Sequence, residues 1–170
     1  MRVLAFAGAL AAVVAFAIDL RQGRGGNFTL EQARAFEEYP LAYAGEEVDG
    51  LPLTAILRRD DTARYVSFVY GDCTAQSDGG CAPPAEVQVW PAGARSLGSF
   101  DRSAPGSPVP EPTRIRGLPA AFVGEAQLEL YLPGATVVVF AHTRERAIAI
   151  ANELRCVRAG ARPRDGPLAC

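Results

Sequence analysis

Between residues 117 and 142 the chain carries three apolar runs, GLPAAFVGE, AQLELYLPG and ATVVVFAH. Leu128, Leu130 and Leu132 alternate with Gln127, Glu129 and Tyr131. A period of two puts the leucines on one face of a strand and the polar residues on the other. The next run, TVVVF, does not alternate. Apolar on both sides, it reads as a central strand covered on both faces. An earlier block, GLPLTAILRR, ARYVSFVYG and AEVQVWP, has the same layout. Both open on Gly-Leu-Pro, at Gly50 and Gly117, and in both the second run ends on a glycine, Gly71 or Gly134. The expected fold is α+β: one antiparallel sheet built from two similar three-strand blocks, flanked by an N-terminal and a C-terminal helix.

The flanks carry helix signals. In NFTLEQARAFEEYP, Thr29 and Gln32 have capping-box spacing, Leu30, Ala33 and Phe36 share a face, and Pro40 ends the run. In TRERAIAIANELRCV, Thr143 is the cap and Glu145 suits the positive end of the helix dipole. Ala147, Ile148, Ala151 and Leu154 form the stripe expected to pack on the sheet. The two blocks are separated by residues 98–113, where four prolines exclude a helix or a central strand and predict a surface linker. Residues 29–157 are thus the expected domain, and 158–170 a polar tail.

Val3 to Ile18 contains no charge. As a helix, these residues span about 24 Å, short of a hydrocarbon core of about 30 Å. They also fit a signal peptide, with Arg2 before the apolar run and Ala15-Phe16-Ala17 as a cleavage site. Residues 1–18 therefore read as a membrane anchor or a cleaved signal, and a buried helix is the third option. Residues 19–28 are a Gly-rich linker. Either leading reading puts the domain outside the cytoplasm. Net charge is −2 and every basic residue is Arg, with no basic stripe, so a nucleic-acid partner is not expected.

That compartment frames the four cysteines, Cys73, Cys81, Cys156 and Cys170. An even count behind an export segment reads as disulfides. The simplest of three pairings joins Cys73 to Cys81 and Cys156 to Cys170. Structural zinc sites favour C-x₂₋₄-C and redox sites C-x-x-C, and neither spacing occurs. No metal or cofactor is expected.

Catalytic chemistry has little to build on. His142 is the only histidine, and no G-x-S-x-G, phosphate-loop or H-E-x-x-H motif is present. No catalytic residue is assigned. Two stretches qualify as contact surfaces instead. One is the loop Gln76, Ser77 and Asp78 between Cys73 and Cys81. The other is Glu86, Gln88 and Trp90, which share the outer face if Val87 and Val89 point inward. Trp90 with Tyr65, Tyr70 and Tyr131 either lines that face or packs in the core.

The pattern YVSFVYGDC…GGCAPPAEVQ, then GLPAAFV…LELYLPGATVVVFAHTRERAIAIANEL, resembles a set of uncharacterised actinobacterial membrane-anchored or secreted proteins. The resemblance covers roughly residues 29–156 and implies location and architecture, with no assigned activity. The expectation is a non-catalytic extracytoplasmic binding or structural module, not an enzyme. Its partners would be the membrane, through an uncleaved N-terminal segment, and an envelope protein or small ligand. A small hydrolase or the sensor domain of an envelope system is the alternative.

Overall fold

A computed structural model describes residues 28–59, 64–72, 82–95, 109–158, 168 and 170. Residues 1–18 and most of the 19–28 linker lie outside that set. So do Cys73, Gln76, Ser77, Asp78 and Cys81. Among the described residues no helix is long and apolar enough to cross a membrane.

The main body is an eight-stranded antiparallel sheet in the order β2-β3-β4-β5-β9-β8-β7-β6. Its first half is β2 (Glu47–Val48), β3 (Leu51–Arg59), β4 (Tyr65–Tyr70) and β5 (Ala85–Pro91). Its second half is β6 (Glu111–Ile115), β7 (Leu118–Val123), β8 (Gln127–Leu132) and β9 (Ala135–Ala141). The halves meet where β5 runs antiparallel to β9 from Ala85↔Ala141 to Pro91↔Ala135. Strand β9 is therefore interior to the sheet, and Ala135–Val139 are all buried, as the unbroken apolar run required.

Both Gly-Leu-Pro motifs emerge from two-residue hairpins. Asp49-Gly50 links β2 to β3, with Val48 opposite Leu51, and Arg116-Gly117 links β6 to β7, with Ile115 opposite Leu118. All four turn residues have positive φ, 51° and 73° in the first turn and 51° and 77° in the second. That is the turn whose twist matches antiparallel strands.

One face of the sheet is the core face. It carries Val66, Phe68 and Tyr70 of β4, Ala85, Val87 and Val89 of β5, Val137 and Val139 of β9, and Leu128 and Leu130 of β8, all 0% exposed. Helix α1 (Leu30–Ala35) and helix α2 (Arg144–Glu153) bury residues in this cluster, as does a two-stranded ribbon of β1 (Ala42–Tyr43) and β10 (Arg155–Cys156).

Helix α1 has the capping box: Gln32 N–H donates to Thr29 Oγ1 at 3.1 Å, and Thr29 N–H to Gln32 Oε1 at 2.8 Å. It ends at Ala35, well before Pro40, because Phe36 turns extended, with ψ 131°. That turn lets Phe36 and Tyr39 bury their rings against each other, 4.8 Å apart. Helix α2 is capped by Thr143 as expected. Its buried stripe is Ala147, Ile150 and Ala151, with Ile148 only partly covered. The linker expected over 98–113 ends sooner than its prolines imply. Residues 111–113 open β6, and Pro112 sits opposite Ala121 on the sheet edge, where a strand tolerates a missing N–H.

Tyr70 ties the sheet to the covering layer. Its hydroxyl accepts from Ala44 N–H at 2.9 Å and donates to the Gly45 carbonyl at 3.1 Å. Burial pushes its phenol above the usual tyrosine range. The unfolded chain would release this proton from about pH 10, while the folded chain holds it. Stability is therefore unaffected below about pH 10 and falls above it, by about 1.4 kcal/mol per pH unit from this residue. Urea midpoints of wild type and Tyr70→Phe at pH 8, 10 and 11 test this. The wild type should lose ground steeply above pH 10, and the variant, weaker at pH 8, should show the shallower decline.

Candidate functional site

Away from the core, side chains of β4, β5, β9 and β8 form the outer face of the sheet. Its alternation is set by the core: with Val87 and Val89 buried inward, Glu86, Gln88 and Trp90 point outward, each partly exposed. The structure brings these three sequence candidates together. Ser67 Oγ donates to Glu86 Oε1 at 2.5 Å, and Gln88 Nε2 donates to the same oxygen at 2.9 Å. Trp90 Nε1 donates to Gln88 Oε1 at 3.1 Å. Among the described residues both bonds to Glu86 fall on Oε1, so Oε2 keeps its acceptor capacity there.

Tyr65 lies beside Trp90 across the β4–β5 pair, and the two rings stack with centroids 4.3 Å apart and planes 20° from parallel. Tyr65 and Trp90 are half-buried. Tyr131 shares this face from β8, whereas Tyr70 faces the core and is fully buried. The four aromatics named by the sequence thus divide three to one between the two sides.

A second network adjoins the first. Glu129 belongs to the face expected to be solvated, yet it is 0% exposed. Arg95, from the turn after β5, reaches over β9 and donates through Nε at 3.1 Å and a terminal nitrogen at 2.8 Å to Glu129 Oε1. Gln127 Nε2 donates to that oxygen at 3.0 Å, and the Tyr131 hydroxyl donates to Oε2 at 3.1 Å. Burial, reinforced by the adjacent Glu129 carboxylate, pushes the Tyr131 phenol above the usual range, which keeps it a donor. Thr136 Oγ1 holds the Arg95 carbonyl at 3.0 Å, and the Arg95 guanidinium lies 5.1 Å from the centre of the Trp90 ring. Arg95 thereby links the carboxylate network to the aromatic pair. Sequence alone does not flag Arg95 or Glu129, because their pairing spans 34 residues.

The other expected features lie elsewhere. His142 is exposed in the turn before α2, and no hydrogen bond joins it to a serine or a carboxylate among the described residues. No three His, Cys, Asp or Glu side chains converge among the described residues. Cys156 and Cys170 are bonded to each other, which realises half of the expected pairing. The bond forms part of the wall of a cleft of about 380 Å³ bordered by Phe36, Tyr39, Pro40 and Pro133.

No protein-family model, curated protein or solved structure matches this chain.

Proposed function

We propose that this chain is a non-catalytic extracytoplasmic binding module, tethered through residues 1–18 or secreted, whose ligand lies on the outer sheet face across Tyr65 and Trp90. The observation that carries this reading is the stacked, half-buried Tyr65–Trp90 pair, joined along β5 through Gln88 to the Glu86 carboxylate. An oligosaccharide of the cell envelope, with apolar ring faces and hydroxyls at their rims, suits that arrangement: one ring packs against the exposed part of the aromatic pair and a hydroxyl farther along β5 donates to the carboxylate. Hydrogen bonds fix Glu86, Gln88 and Trp90 in advance, so little side-chain freedom is lost on binding.

The two halves of the sheet are read as an internal duplication. The same kind of hairpin turn holds the glycine of each Gly-Leu-Pro, and the strand order is mirrored about the β5–β9 pair. This enlarges each expected three-strand block by one short leading strand. The resemblance to actinobacterial envelope proteins agrees with the proposed location.

Trp90 is the only tryptophan, so its emission reports on this face directly. Titration with soluble envelope oligosaccharides should give a saturable change in emission, weakened at least about tenfold by Glu86→Ala, a difference of about 1.4 kcal/mol. A flat titration, or one that Glu86→Ala leaves unaltered, would sink the reading. Oligosaccharide recovered in shortened form after incubation would make the chain a hydrolase instead.

A further inference from the structure

A pocket of about 350 Å³ opens on the other side of the sheet, between α1 and β10. It is on the core side because Tyr43, in its wall, packs its ring 5.5 Å from that of Phe68. Three arginines line it, Arg34, Arg155 and Arg158, together with Glu46.

Arg155 is fixed in place with no hydrogen bond to its side chain among the described residues. Its guanidinium lies 5.2 Å from the centre of the Tyr43 ring. On another side it rests against Gly45, where an added Cβ would fall 1.7 Å from a terminal nitrogen. Gly45 has φ +106°, so both its backbone and its missing side chain suit glycine. The Tyr70 hydroxyl, bonded to Ala44 and Gly45, holds this wall. Arg155 Nε is nevertheless buried with no acceptor. A buried donor left unsatisfied costs about 1–3 kcal/mol, more when the group is charged. Packing has thus positioned a guanidinium whose Nε finds no acceptor among the described residues.

The surrounding charges leave a surplus. Arg158 is held by Glu37 at 3.0 Å, in a pair exposed on both sides. Its Nε also donates to the Arg34 carbonyl at 3.4 Å. Arg34 has no carboxylate partner among the described residues. Among the described residues, the three arginines face Glu46 in the pocket and Glu37 outside it, a surplus of one positive charge beside an aromatic ring and a disulfide cysteine.

We propose that this pocket binds the oxyanion group of a small ligand, a carboxylate or a phosphate, with Arg155 as the fixed fork and Arg34 as the outer clamp. Guanidinium groups match both anions through paired N–H donors, and a partly desolvated site strengthens the contact. The volume lies at the lower end of the range of small-molecule clefts, about 300–1,000 Å³, which favours a metabolite-sized ligand over a polymer. Glu46 is the opposing group and sets a limit on affinity. This inference stands apart from the outer-face reading: the two sites lie on opposite sides of the sheet and share no residue.

The test uses the full-length chain with inorganic phosphate and succinate as probes, and sodium chloride at matched ionic strength as control. Arginine Nε–H resonances in ¹H–¹⁵N spectra provide the readout, with the Arg155 signal assigned by its loss in Arg155→Gln. A saturable shift of that signal with phosphate or succinate, and none with chloride, is the expected result. Saturation by one probe alone identifies the anion class. Arg34→Gln, at an exposed position, should weaken binding about tenfold, and Glu46→Gln should tighten it severalfold. The proposal is overturned if neither probe gives a saturable shift below about 10 mM, or if both variants titrate like the wild type.

Discussion

Arg95→Ala is expected to lower the unfolding free energy by about 3 kcal/mol, among the largest effects of any single surface-strand or loop substitution in this chain. The substitution removes two hydrogen bonds to Glu129 Oε1 and leaves a carboxylate with no solvent exposure and no counter-charge among the described residues. Breaking a buried pair from one side costs about 3–5 kcal/mol, and the lower end applies because the Arg95 side chain is 25% exposed. Tyr131→Phe and Gln127→Ala each remove one neutral donor from the same carboxylate and should cost less, about 1–2 kcal/mol apiece. Arg95→Met combined with Glu129→Leu removes both charges, and most of the stability should return. The four variants, compared by urea midpoint at pH 7, order themselves by this logic. If Arg95→Ala costs under about 0.5 kcal/mol, Glu129 is not the buried, dependent charge the geometry implies.

A single network thus joins the stability of the outer face to its proposed use as a contact surface. Arg95 touches Glu129 on one side and the Trp90 ring on the other. Its loss should also disturb the aromatic pair, so binding assays on Arg95 variants need their folding checked first. Glu86 is the better probe of contact, because its own bonds are to Ser67 and Gln88 and lie outside the Glu129 network.

The long strands were legible because period two and the length of an apolar run are local properties. Leu128, Leu130 and Leu132 announced the inward face of β8, and the unbroken TVVVF announced an interior strand. Glu86, Gln88 and Trp90 were placed correctly on the outer face for the same reason. The failures are equally physical. β1, β2 and β10 are two residues long and carry no period to detect. Alternation assigned Glu129 to a face but not to a depth, since the depth depends on Arg95 from another hairpin. In α2, the stripe through Ile148 and the one through Ile150 differ by half a turn, and only contact with β8 and β9 selects Ile150. The Arg155 pocket was out of reach, because its walls come from residues 34–46 and 155–158, which sequence spacing does not connect.

Replacing Cys156 and Cys170 together by serine should lower stability by about 3 kcal/mol, the loop-entropy value for a closed segment of about 15 residues. The bond joins residues 14 apart, and its far end is the exposed last residue of the chain. The bond has a specific thing to hold, because Leu168 is buried at 2% exposure in the main core cluster while Cys170 beside it is exposed. Two residues upstream of the bond, Leu168 therefore inserts an apolar side chain into the core. This makes the two features interdependent. Leu168→Ala should cost about 2–3 kcal/mol in the oxidised chain and clearly less in the serine variant, whose tail already spends time undocked. A double-mutant cycle on urea midpoints measures the difference. Additive losses would mean that Leu168 docks without the bond, and unchanged midpoints in the serine variant would mean that the bond closes a loop already held by packing. If the expected cycle is seen, the chain reaches its full stability only where this bond can persist, because thiol reductants of the cytosol keep such pairs open. Protein made in a reducing cytoplasm should then unfold at the lower midpoint of the serine variant until it is oxidised.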